Sequence, residues 1–253
     1  MKKYVSVLSI AVRGSIYKLI GIVLGMGILE TGLFVRAIAA GKKLDLEQMT
    51  AADMQGFEHM IDASYIAFVF GIAFMLCYIV LLKAVGDTKG SETDYFYNRL
   101  SVGIVPRYVM WCLYGIVCMS MFAAVQIGIV YGLGQLYVHT VQSELVSPQM
   151  YFLAFYRNDF LHGLLPMANI GKWIRNFVLF LVLGTEIANY GMTHKQNVAV
   201  LSVALMVVAS LGQGIRFTVL EVYILLIAIV VLGVNIWSLL KYAGKVCADG
   251  EDD

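Results

Sequence analysis

The stretch ASYIAFVFGIAFMLCYIVLL, Ala63 to Leu82, contains no charged residue, and its reading decides the fold. Twenty helical residues rise about 30 Å, which matches the hydrocarbon thickness of a bilayer. A helix also satisfies its own backbone hydrogen bonds where no water is present. Five further blocks repeat or approach this pattern: Leu19 to Val35, Tyr108 to Gly132, Trp173 to Tyr190, Asn197 to Leu211 and Phe217 to Leu240. The expectation is an all-α, polytopic membrane helix bundle of about six spans. It forms one domain over residues 1–245, followed by a polar tail at 246–253. The fifth block is the shortest, and its junction Leu211-Gly212-Gln213-Gly214 also reads as the tip of a re-entrant hairpin. Pro106, Pro148 and Pro166 all lie outside the blocks, as uninterrupted helices require.

Composition agrees. Sixty per cent of the 253 residues are hydrophobic and 14% are charged, with mean hydropathy +0.79, whereas soluble domains are roughly half apolar and one quarter charged. A formal net charge of +1 with no clustered basic face excludes nucleic acid as a partner. Cys77, Cys112, Cys118 and Cys247 form no CxxC pair and read as packing residues. Arg13 and Lys18 interrupt any signal-peptide core in MKKYVSVLSIAVRGSIYKLIGIVLG, so this segment reads as an amphipathic lead-in to the first span.

Lysines and arginines beside spans are retained on the cytoplasmic side. With the N-terminus inside, eleven fall there: Lys2, Lys3, Arg13, Lys18, Lys83, Lys89, Arg99, Arg107, Lys195, Lys241 and Lys245. Seven fall outside: Arg36, Lys42, Lys43, Arg157, Lys172, Arg175 and Arg216. This places a multi-pass protein in the cell membrane with both ends cytoplasmic.

Three connections carry further signals. After the first span, Thr50-Ala-Ala-Asp53 followed by Met54, Phe57 and Ile61 predicts a short helix on the outer surface. The segment SETDYFYNRL predicts a cytoplasmic helix between spans two and three, displaying Tyr95, Phe96, Arg99 and Leu100. That helix reads either as an interfacial anchor or as a coupling element docking into a cleft on a separate ATPase. The long outer segment SPQMYFLAFYRNDFLHGLLP reads as an element in the outer interface or dipping into the membrane.

Catalytic signatures were sought in turn. No G-x-x-x-x-G-K-[ST] loop, HExxH pair or GxSxG elbow occurs, and His59, His139, His162 and His194 are scattered. The chain reads as a non-enzyme with no cofactor and no metal. Ionisable groups inside spans are functional hypotheses by default, because they are costly there without a partner. Glu30, Glu186 and Glu221 are the acidic ones. Glu30 and Glu221 share a depth with Arg36 and Arg216, which predicts interhelical ion pairs; a polar translocation route is the alternative. Gly21 with Gly25, and Gly128 with Gly132, have the GxxxG spacing of close helix approach.

A basic lead-in, six spans, the SETDYFYNRL helix and the missing nucleotide site together resemble the permease subunit of a type-2 ABC exporter. The segment FLAFYRNDFLHGLLP also resembles permease-like proteins of Gram-positive bacteria. In that family the largest outer insertion usually separates spans five and six; here it follows span three. The resemblance implies an exporter with an ABC-type ATPase partner and a second permease subunit, ATP closure pushing on Tyr95, Phe96 and Leu100. Two other classes fit the same spans: a non-transporting scaffold or sensor, and an ion-coupled carrier using Glu30, Glu186 or Glu221.

Overall fold

The computed structural model describes residues 2–45, 56–86, 103–140, 149–167, 169–193, 198–212 and 218–249. Every regular element among them is a helix. In chain order these are α1 (Lys2–Asp45), α2 (Phe57–Ala63), α3 (Ile66–Gly86), α4 (Ile104–Thr140), α5 (Gln149–Arg157), α6 (Asp159–Leu164), α7 (Ile170–Thr193), α8 (Val198–Gly212) and α9 (Thr218–Asp249). Four of them, over Ala11–Ala40, Ile66–Gly86, Ile104–Thr140 and Glu221–Gly244, are long and apolar enough to cross a membrane. The protein is thus an all-helical bundle built to contact lipid.

The solvent of the outer faces is legible in their side chains. Tyr17, Leu24 and Ile28 on α1, and Tyr223, Val230 and Trp237 on α9, are all more than half exposed. An apolar face of that extent is tolerated in lipid and is a liability in water. The flanking charges are spaced accordingly: Lys18 to Arg36 on α1 and Glu221 to Lys241 on α9 span about 27 and 30 Å at 1.5 Å per residue. At one end Lys241 lies 5.2 Å from the Trp237 ring centroid and Arg107 lies 5.9 Å from that of Trp111, in the manner of interfacial anchors.

Contact register gives the chain direction. Ser15 meets Tyr114, Glu30 meets Gln126 and Phe34 meets Tyr137, so α1 and α4 run parallel. Phe70 stacks on Phe122 while Cys77 reaches Met119, so α3 runs against both. Tyr108 reaches Thr185 on α7, which also packs against α3 and α9. The core is aromatic where α3 meets α4: Phe70, Phe74 and Phe122 lie within 5.7 to 6.1 Å of one another.

Glycines set a close crossing of α4 and α7, but not the GxxxG pairs read from the sequence. A Cβ on Gly21, Gly25, Gly128 or Gly132 would meet nothing within 4 Å. Gly115 of α4 and Gly184 of α7 instead face each other: a Cβ on Gly115 would lie 3.3 Å from Gly184 Cα, and one on Gly184 would lie 2.7 Å from the Cys112 carbonyl oxygen. Spacing marks glycines that allow close approach; it does not say which ones have a partner.

The connections fold inward. The helix predicted after the first span exists as α2, but Phe57 and Ile61 are buried rather than spread on a surface, and Phe57 packs against Phe34 and Tyr137. Residues Thr50 to Met54 lie outside the described residues. Tyr65, at φ 53°, turns the chain from α2 into α3. After α4, α5 keeps Leu153 and Tyr156 exposed, whereas α6 buries Phe160, Leu161 and Leu164. Phe160 rests 5.6 Å from Phe70, and a Cβ on Gly163 would lie 2.6 Å from the Leu211 carbonyl oxygen. The α6 turn therefore plugs the bundle above the end of α8. At fifteen residues, α8 is about 22 Å long and stops short of a full crossing.

Candidate functional site: a polar seam between two helices

Helix α7 is the least lipid-like of the long helices. Lys172, Arg175 and Asn176 are buried near its start, and Thr185 and Glu186 are buried two to three turns further on. Between them Leu179, Val182 and Leu183 are buried and apolar. Its neighbour α9 repeats the alternation on its buried face, with Glu221, then Ile224 and Ala228, then Asn235. The two helices run parallel, and their facing polar residues form a seam in two clusters separated by an apolar section.

In the first cluster two cations share one carboxylate oxygen. Arg175 Nη1 lies 3.4 Å and Lys172 Nζ 3.9 Å from Glu221 Oε1. Arg175 also donates through Nε and Nη2 to Asn176 Oδ1, at 3.3 and 3.0 Å. Asn176 Nδ2 in turn donates to the Gly163 carbonyl at 3.0 Å, tying the cluster to the α6 plug. The plug is held on its other side by Asn158. Its Oδ1 accepts from the Phe160 and Leu161 amides, each at 3.1 Å, and its Nδ2 donates to Asp62 Oδ1 at 2.8 Å. Arg157 pairs with Glu58 at 3.7 Å across the same seam of α2 and α5. His162, within the plug, has a buried Nδ1 without a hydrogen-bond partner. Burial first, and then the charge of Lys172, hold its pKa below the ordinary 6.5.

The second cluster is made of amides, a hydroxyl and a carboxyl. Asn189 Nδ2 donates to Asn235 Oδ1 at 3.1 Å, and Asn235 Nδ2 donates to Thr185 Oγ1 at 3.3 Å. The Tyr108 hydroxyl donates to the Thr185 carbonyl at 3.3 Å. Glu186 is buried beside Asn235, with Tyr78 and Tyr108 in its surroundings. Both clusters pair residues 46 apart, Arg175 with Glu221 and Asn189 with Asn235, so the two helices keep one register from end to end.

The residues singled out from the sequence fall as follows. Glu186 and Glu221 occupy different clusters of one seam. Glu221 faces Lys172 and Arg175, and Arg216 lies outside the described residues. Glu30 is on α1, away from the seam, and faces the amide of Gln126 rather than an arginine of another helix. Tyr95, Phe96, Arg99 and Leu100 lie outside the described residues. Asn235 and Gln126 carry no charge and are marked in the sequence only as solitary amides in apolar runs, while Asn158 is marked as a cap by the Asp159 that follows it. Among the described residues no group of histidine, cysteine, aspartate or glutamate could hold a metal ion. No protein-family model, curated protein or solved structure matches the chain.

Proposed function

We propose that the chain is the membrane-spanning permease subunit of an ATP-driven exporter, energised by a separate ABC-type ATPase and paired with a second permease subunit. The carrying observation is the α7–α9 seam: polar at two depths and apolar between them. A helix devoted only to anchoring has no use for buried Lys172, Arg175, Glu186 and Asn235, each of which is costly in lipid. A route for a polar substrate does, and the apolar section is where such a route closes. On this reading α7 is a fifth pass, made polar by its interior position, and the short α8 fills the depth of a sixth together with the α6 plug above it. The basic-residue balance puts both termini in the cytoplasm. The sequence has no nucleotide-binding loop, so ATP energy has to come from a partner, through the segment containing Tyr95, Phe96, Arg99 and Leu100.

The test is joint replacement of Tyr95 and Phe96 by alanine in the tagged protein, purified in detergent. Loss of a co-purifying ATPase supports the coupling role; unchanged recovery counts against it. A second reading, an ion-coupled carrier, is favoured by buried Glu186, which faces an amide and tyrosines rather than a cation. In vesicles, its transport would collapse with the proton gradient and persist without ATP. A scaffold would move nothing in either assay.

A further inference from the structure

Away from the seam, α1 and α4 bury a second polar pair. Glu30 and Gln126 are both 0% exposed. Gln126 Nε2 donates to Glu30 Oε2 at 3.0 Å. The remaining oxygen on each side chain, Glu30 Oε1 and Gln126 Oε1, is buried with no hydrogen-bond partner. Buried polar atoms are almost always satisfied, so two orphans on one pair need a common explanation.

Ionised Glu30 does not supply one. A carboxylate is an acceptor only, and so is the amide oxygen, which leaves two unsatisfied acceptors and an uncompensated charge in the bundle. Among the described residues, no cation pairs with Glu30. From α2, Glu58 pairs with Arg157 and Asp62 with Asn158. From α3, Cys77 faces Met119 and Tyr78 lies near Glu186. From α4, Tyr114 meets Ser15 and Tyr137 packs on Phe34 and Phe57. Among the described residues, Gln126 is the one side chain hydrogen-bonded to Glu30.

One proton resolves both orphans. On Glu30 Oε1 it converts an acceptor into a donor, and the acceptor left over on the partner is Gln126 Oε1. The carboxylic acid and the primary amide are both planar, and each then gives one hydrogen bond and takes one in a closed ring. We propose that Glu30 is a proton-binding site, occupied in this fold, whose acid–amide ring with Gln126 latches α1 to α4. Release of the proton to water leaves a charged oxygen facing a carbonyl oxygen, and the latch opens. This inference stands on the pair's own geometry and does not depend on the transport reading.

The test is infrared spectroscopy of the full-length protein in lipid nanodiscs across neutral pH. The expected result is a protonated-carboxyl C=O band that disappears in Glu30→Gln, which preserves an amide partner for Gln126. In Gln126→Leu the same band moves to the higher frequency of an acid that donates no hydrogen bond. If Glu30→Gln fails to fold, wild-type protein treated with dicyclohexylcarbodiimide, which attacks protonated carboxyls in apolar surroundings, is mapped by mass spectrometry. Adduct on Glu30 that fades as pH rises supports the site, and absence of adduct overturns it. A band unchanged in folded Glu30→Gln overturns it equally, as does a band abolished by sodium at constant pH, which would make the pair a metal-cation site.

Discussion

Replacing Gly184 by alanine tests the packing of the bundle where α4 and α7 cross closely. The new Cβ would sit 2.7 Å from the Cys112 carbonyl oxygen, a backbone atom with no rotamer to change. Restoring an ordinary contact of about 3.4 Å requires α7 and α4 to separate by roughly 0.7 Å, and every contact in that interface weakens with it. Overpacking of this kind costs about 1–3 kcal/mol, and alanine returns roughly 0.5–1 kcal/mol through its better helix propensity. A net loss of about 1–2 kcal/mol follows, which lowers the folded-to-unfolded ratio roughly five- to thirtyfold. Unfolding in mixed micelles of increasing SDS content, followed through tryptophan fluorescence, measures it directly, since Trp111 is buried in the same helix pair. Gly128→Ala is the control: its Cβ meets nothing within 4 Å, so its midpoint stays level or rises. If Gly184→Ala unfolds no earlier than wild type while Gly128→Ala unfolds sooner, the assignment of the helix crossing is wrong.

Removing Glu221 leaves Lys172 and Arg175 buried without their shared carboxylate, so Glu221→Ala loses about 3–5 kcal/mol, and adding Lys172→Met restores part of it; thermal unfolding of the single and double variants measures both. Asn158→Ala removes the cap of α6 and strands Asp62, at about 1 kcal/mol, and hydrogen exchange at the Phe160 and Leu161 amides accelerates roughly fivefold. For His162 the folded pKa lies below the unfolded value, so its neutral form belongs to the fold. Its contribution is complete above the ordinary pKa of 6.5 and is lost as pH falls through that value toward the depressed one. The thermal midpoint of wild type therefore drops on mild acidification by more than that of His162→Gln, and equal drops would exclude His162 as the source.

The parts of this fold that depend on one segment alone were legible in the sequence. An uncharged twenty-residue run announces α3 whatever surrounds it, and Phe57 with Ile61 announces α2. What the sequence concealed are choices among partners. Glu30 and Gln126 are 96 residues apart, and helical spacing tells which way a side chain points on its own helix without saying what it will meet. That is why charge at a shared depth points from Glu30 toward an arginine on another span rather than toward an amide. The same blindness favoured Gly21, Gly25, Gly128 and Gly132 over the isolated Gly115 and Gly184. Hydrophobicity marks the α5–α6 region as more than a plain loop. Only the Asn158, Asn176 and Leu211 contacts tell a plug from a surface anchor, and all three depend on other parts of the chain.

The constant 46-residue offset between α7 and α9 has a mechanical consequence. A one-turn slide of either helix past the other would have to break Arg175–Glu221 and Asn189–Asn235 in a single event, at opposite ends of the pair. Two clamps in phase make a stiff beam rather than a sliding rail.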